Sequence, residues 1–123
     1  MTKPADATVY VVDDDVSVRK ALRRLLISAG YAVEVFASAQ EFLVGHVIEA
    51  NGCLVLDIRM PGMDGLELQR RLVDRGESPP IVLMTGHSDE DAEETGLAQG
   101  AVAFLRKPFD DEALLAAVRE SVG

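Results

Sequence analysis

Cysteine is nearly absent from this chain: Cys53 is the only one among 123 residues, so no intramolecular disulfide can form and a packed core must hold the fold. Cys53 lies in the apolar run Cys53-Leu54-Val55-Leu56, which predicts a buried thiol in a reducing compartment. Histidine is also scarce, and His46 and His87 are too isolated to suggest zinc. Positive charge is short: 12 basic against 21 acidic side chains give a formal net charge of -9. Such a surface repels phosphate backbones and anionic lipid, so neither direct nucleic-acid binding nor membrane association is expected. No apolar run approaches the ~20 residues of a membrane span. The opening Met1-Thr2-Lys3-Pro4-Ala5-Asp6 lacks the apolar centre of a signal peptide, which predicts a cytoplasmic protein. Repeats, linkers and low-complexity segments are missing too. The 48% apolar fraction supports one core but not two, so one domain is expected over 1–123, with its core at about 8–122 and a tail at 1–7.

What is present alternates between two periodicities. Thr8 to Val12 is a β-branched and aromatic run that stops at three aspartates, as a buried strand opening onto a polar rim would. Val18, Ala21, Leu22, Leu25, Leu26 and Ala29 then recur at helical spacing, with Gly30 placed for a left-handed C-terminal cap. A second strand is predicted over Val33 to Phe36, and Ser38-Ala39-Gln40-Glu41 has capping-box spacing for a short helix carrying Phe42 and Leu43. Strands are further predicted at Cys53 to Leu56, Ile81 to Met84 and Ala101 to Leu105. Helices are predicted at Leu66 to Asp74, closed by Gly76, at Ser88 to Gln99, closed by Gly100, and at Ala113 to Val122, with Asp110 as the cap. Near-continuous apolar strands alternating with helices predict a parallel sheet covered on both faces and joined by right-handed crossovers.

In such a sheet, ligands bind beyond the carboxyl ends of the strands, where strand order reverses. The first strand ends in Asp13-Asp14-Asp15, the third in Asp57 and the fourth in Thr85, and the fifth runs into Lys107. Each group taken singly has a bland explanation: Asp15 as a helix cap, Thr85 as a turn residue, Lys107 as a surface lysine. Asp57 resists that treatment, because it leads into Ile58-Arg59-Met60-Pro61 and not directly into a helix. Convergence of Asp13, Asp14 and Asp57 would raise the carboxylates' pKa values or demand a cation, and an all-oxygen cluster selects a hard divalent ion such as Mg²⁺. A metal beside a carboxylate, a lysine and a hydroxyl suits phosphoryl transfer, in which positioning and positive charge do most of the work. Asp57 would be the nucleophile, with Mg²⁺, Lys107 and the Thr85 hydroxyl each meeting one phosphoryl oxygen.

With those residues in hand, the sequence resembles a response-regulator receiver domain of the CheY-like kind over roughly Thr8 to Val122. The matching stretches are Val11-Val12-Asp13-Asp14-Asp15, the run from Leu54 to Gly65, Met84-Thr85-Gly86-His87, and the run from Gly100 to Phe109. Val18-Arg19-Lys20-Ala21-Leu22 and Thr85-Gly86-His87 are similar to the FixJ-like branch, whose members commonly carry a C-terminal DNA-binding domain. The resemblance implies a flavodoxin-like (βα)5 three-layer α/β sandwich with strand order 2-1-3-4-5. It implies that Asp57 is the phosphoacceptor, and that Asp14, Asp57 and the Arg59 carbonyl bind Mg²⁺ (or Mn²⁺) directly, with Asp13 acting through water. The Arg59 and Gly86 N–H groups would meet the phosphoryl group, and the Lys107-Pro108 bond would be cis. A sensor histidine kinase would be the donor, hydrolysis of the aspartyl phosphate would reset the switch, and Thr85 and Phe104 would relay the change to an output domain or downstream protein. The chain would then be a signalling switch and no ordinary enzyme, catalysing only its own phosphorylation and dephosphorylation.

The predicted fourth helix departs from an ordinary amphipathic pattern, with Asp89, Glu90, Asp91, Glu93 and Glu94 clustered and Gly96 mid-helix. These acids predict a mobile helix and a monomer or weak phosphorylation-dependent dimer. Arg59 and His87 follow the acceptor and the threonine by two positions and are placed to overhang the phosphoryl group. Three rival readings share parts of the pattern. A haloacid-dehalogenase-type phosphatase would use Asp13 as nucleophile but leaves Asp57 without a task. An adaptor of the same fold would signal by docking alone, and a flavodoxin would need a hydroxyl-rich turn where this chain has three aspartates.

Overall fold

The computed structural model describes residues 7–44, 52–77, 79–86 and 90–122. Ten elements alternate: β1 (Thr8–Val12), α1 (Val16–Ser28), β2 (Ala32–Phe36), α2 (Ala39–Leu43), β3 (Gly52–Asp57), α3 (Gly65–Asp74), β4 (Ile81–Thr85), α4 (Glu90–Ala98), β5 (Ala103–Arg106) and α5 (Asp111–Val122). All strand pairs are parallel, in the order β2-β1-β3-β4-β5. This is the flavodoxin-like arrangement implied by the resemblance.

The three central strands are buried on both faces, which is why they read as unbroken apolar runs. Alternate side chains serve different layers. Val9, Val11, Cys53, Val55, Val82 and Met84 pack against Leu22 and Leu26 of α1 and Leu114 and Val118 of α5. Tyr10, Val12, Leu54, Leu56, Ile81 and Leu83 face the other way, against Phe42 of α2, Leu68 and Leu72 of α3 and Ala92 of α4. Cys53 is buried as expected, and burial pushes its thiol up to about 11.

Several ends differ from expectation for local reasons. Helix α1 begins at Val16, because the Asp15 carboxylate accepts from the Ser17 N–H at 2.8 Å and caps it. Helix α3 begins at Gly65, because Asp64 accepts from the Glu67 N–H at 2.9 Å; the expected loop already contains the cap. The Ser38 hydroxyl accepts from the Glu41 N–H at 3.0 Å, but the Glu41 carboxylate reaches back to the Ala37 N–H at 3.3 Å, one residue before the cap. Strand β5 starts two residues later than expected: Ala101 is taken up by the end of α4, donating to Gly96 O, and Val102 is exposed. The Asp110 carbonyl accepts from the N–H groups of Ala113 and Leu114 at the entry to α5. Of the expected fourth helix, Ser88 and Asp89 lie outside the described residues, as do His46 and His87.

Candidate functional site

The paired strands β1 and β3 run in register, Val12 opposite Leu56, so the next residue on each brings Asp13 and Asp57 to the same edge of the sheet. The turn after β1 is fixed by Asp13 itself. Its N–H donates to the Phe36 carbonyl, its Oδ1 accepts from the Asp15 N–H at 2.9 Å, and its carbonyl accepts from the Arg19 guanidinium at 2.8 Å. The turn after β3 is held by the Ile58 N–H on the Met84 carbonyl and by the Gly65 N–H on the Ile58 carbonyl. Gly65 is needed there, since a Cβ would run into the backbone carbonyl oxygen of Asp57.

Asp13 and Asp57 are buried and Asp14 is exposed, and one carboxylate oxygen from each lies within 4.8 Å of the others. Lys107 reaches into this cluster from the end of β5, its Nζ 2.8 Å from Asp13 Oδ2 and 3.4 Å from Asp57 Oδ1. The lysine backbone is tied to the neighbouring strand, its N–H donating to the Thr85 carbonyl at 2.7 Å. The Lys107-Pro108 bond is cis. Burial pushes the Asp57 carboxyl up to about 6, and the Asp13 charge adds to the rise, which Lys107 opposes. Burial pulls the Lys107 ammonium down, but its hydrogen bond to Asp13 and the Asp57 charge outweigh that, leaving it above the ordinary lysine value. A carboxylate so disfavoured, within reach of two others and with no sulfur or imidazole among the donors, fits a hard divalent cation.

Thr85 is fully buried at the end of β4, and alternation puts its side chain on the same face as Leu83. Phe104 is partly buried on that face, packed with the α3 and α4 cluster. Arg59 is exposed two residues beyond Asp57. Gly86 is exposed next to Thr85, with no heavy atom within 4 Å of where a Cβ would stand. The structure thus brings Asp13, Asp14, Asp57 and Lys107 together, puts Thr85 at the end of β4 with Gly86 just after it and Arg59 just past β3, and sets Phe104 back on the α4 side. An open groove runs from the site between α1 and α5, lined by Val18, Ala21, Leu22, Gly86, Lys107 and Phe109 among others. Sequence reasoning missed Arg19, whose bond to the Asp13 carbonyl crosses six residues and has no motif of its own.

Comparison with known proteins identifies the family. The model of the response regulator receiver domain family matches residues 9–119. The transcriptional regulatory protein FixJ of Azorhizobium caulinodans is 47% identical over 120 residues, covering 98% of this chain and 57% of that protein. The response regulator protein TodT of Pseudomonas putida is 44% identical over 116 residues, covering 94% of this chain and 51% of that protein. The chain therefore spans about half the length of these curated relatives. A crystal structure of FixJ-N superimposes with a TM-score of 0.88 at 40% identity, covering 95% of this chain and 94% of that one. An acidic pocket fit for phosphorylation at the carboxyl edge of a 2-1-3-4-5 sheet, matched along nearly the whole chain, makes this protein a member of the response regulator receiver domain family.

Proposed function

We propose that Asp57 accepts a phosphoryl group from the phosphohistidine of a sensor histidine kinase. The carrying observation is the buried Asp57 carboxylate, held beside Asp13 with the Lys107 ammonium between them. An Asp57 oxygen attacks phosphorus, the bond from phosphorus to the imidazole nitrogen breaks, and the electron pair returns to the imidazole. Asp13 is the poorer nucleophile: Oδ1 is engaged by the Asp15 N–H and Oδ2 by Lys107 at 2.8 Å, whereas the Asp57 contact with Lys107 is the longer, at 3.4 Å. This geometry favours the receiver reaction over the phosphatase alternative.

Asp14, Asp57 and the Arg59 carbonyl would hold Mg²⁺ (or Mn²⁺) directly and Asp13 through water, and the ion would supply positive charge to one phosphoryl oxygen. Lys107 turns from the carboxylates to a second oxygen, and the Thr85 hydroxyl donates to the third. The N–H groups of Arg59 and Gly86 complete the cradle. Pulling Thr85 inward opens space on the face it shares with Phe104, whose ring rotates in and passes the change to the surface. Hydrolysis of the acyl phosphate resets the switch, so the chain acts only on itself.

The reading extends to partners. The named relatives are regulators about twice as long as this chain, which supports an output domain or a downstream protein as the recipient of the signal. No helix among the described residues is long and apolar enough to cross a membrane, and we place the reaction in the cytoplasm. The test is intact-mass measurement after incubation with acetyl phosphate and Mg²⁺. The native chain should gain one phosphoryl group, and Asp57→Asn and chelator-treated samples none; equal labelling of Asp57→Asn would overturn the assignment.

A further inference from the structure

Four polar or charged side chains are buried among the described residues: Asp13, Asp57, Thr85 and Gln69. Three of them build the site above. Gln69 lies on α3, facing α4, and has no part in the chemistry. Its Nε2 donates to the Gly96 carbonyl at 2.9 Å, and its Oε1 accepts from Gln99 Nε2 at 2.7 Å. The Gly96 carbonyl also accepts from the Ala101 N–H at 3.0 Å, while the Gly100 N–H, at φ 106°, donates to Leu97, so the end of α4 is closed on the carbonyl that Gln69 holds. Gly96 itself presses on β4, since a Cβ there would run into Leu83 Cδ1, two residues before Thr85.

The first half of α4 is held differently. Glu90, Asp91, Glu93 and Glu94 repel one another at helical spacing, although their place near the helix N-terminus offsets part of that. Ala92 is the buried side chain in this half, and Glu93 pairs with Arg106 of β5 at 3.0 Å on the exposed surface. Displacing the second half would strip partners from the buried Gln69 amide and the part-buried Gln99 amide, whereas displacing the first half gives up the small Ala92 contact and an exposed ion pair.

We propose that the Gln69–Gln99 amide pair is the fixed pivot of the switch: phosphorylation of Asp57 rearranges residues 90–95 and β5, and the rearrangement stops at Gly96. The proposal rests on Asp57 being the acceptor. It divides the face above β4 and β5 into a moving half and an anchored half, and a partner that reads the phosphorylated state must contact the moving half.

The test is amide exchange followed by nuclear magnetic resonance on the full chain, with Mg²⁺ alone and with Mg²⁺ and beryllium fluoride, run beside the acetyl phosphate mass measurement. Exchange at residues 90–95 should change by roughly tenfold while residues 96–101 stay within about twofold. The side-chain amide resonances of Gln69 and Gln99 should not move. Gln69→Met removes both hydrogen bonds of Gln69 at similar volume, and Gln99→Ala, at a less buried position, removes the bond to Gln69 together with a longer one to the Leu66 carbonyl at 3.4 Å; either folded variant should still take up the phosphoryl group but lose the boundary, with changes running on through 101. Phosphoryl uptake with the Gln69 and Gln99 amides moving in the native chain overturns the pivot alone, as does an intact boundary in the variants. No uptake at all overturns the acceptor assignment and the pivot with it.

Discussion

Replacing Asp57 by asparagine should stabilise the metal-free protein near neutral pH. Asp57 is only 4% exposed, and its carboxyl is raised from 3.8 to about 6, first by burial and then by the Asp13 charge. Because the folded value lies above the unfolded one, ionisation opposes folding. The penalty vanishes well below pH 4, where both states are protonated. It grows as the unfolded chain ionises, and it is complete once the pH passes about 6. The difference corresponds to about 3 kcal/mol, with the attraction of Lys107 already included. A chain of this size gains roughly 4 °C in Tm per kcal/mol, so Asp57→Asn should melt roughly 10 °C higher at pH 7.5 in chelator. Urea unfolding followed by circular dichroism at pH 7.5, 6 and 5 should show the advantage shrinking to about half by pH 5. Added Mg²⁺ should close the gap from the other side, by binding the native carboxylates. An Asp57→Asn protein less stable than the native chain at pH 7.5 in chelator, or an advantage that ignores pH, would refute the claim that Asp57 carries buried, poorly compensated charge.

Other substitutions probe the scaffold and the chemistry separately. Lys107→Met leaves Asp13 and Asp57 without their shared cation, and labelling by acetyl phosphate should slow by roughly 100-fold, as read by intact mass over time. Gly65→Ala drives a methyl group into the Asp57 carbonyl, so it should cost about 2 kcal/mol in urea unfolding and also impair labelling, whereas an undisturbed site would show that the turn can shift. Asp64→Ala removes the α3 cap and should cost about 1 kcal/mol with labelling retained. Sedimentation of the Mg²⁺ and beryllium fluoride complex should show a monomer or weak dimer, since a symmetric contact through α4 would set Glu90, Asp91 and Glu94 against their own copies.

The candidate site was legible because its parts are spelled at strand ends. A buried parallel strand is an unbroken apolar run, and Asp13, Asp57 and Thr85 each stand where such a run stops; the sheet then gathers them at one edge whatever the loops between them do. Lys107 was legible for the same reason, one residue past β5. The pivot was not. Gln69 sits within a helix whose exposed neighbours Arg70 and Arg71 make a glutamine look like one more solvated side chain, and its amide partner Gln99 is 30 positions away. Polar residues in helices carry no mark of which way they face until the neighbouring element is placed, and α4 was the element whose apolar pattern was weakest, Ala92 and Gly96 being all it buries. The two facts are connected. A helix with so little apolar surface cannot be seated by hydrophobic contact alone, so directional hydrogen bonds from α3 fix its second half, while its acidic first half packs through the small Ala92 and pairs Glu93 with Arg106 on the surface. The feature that made α4 hard to read in the sequence is therefore also what leaves one end of it free to respond.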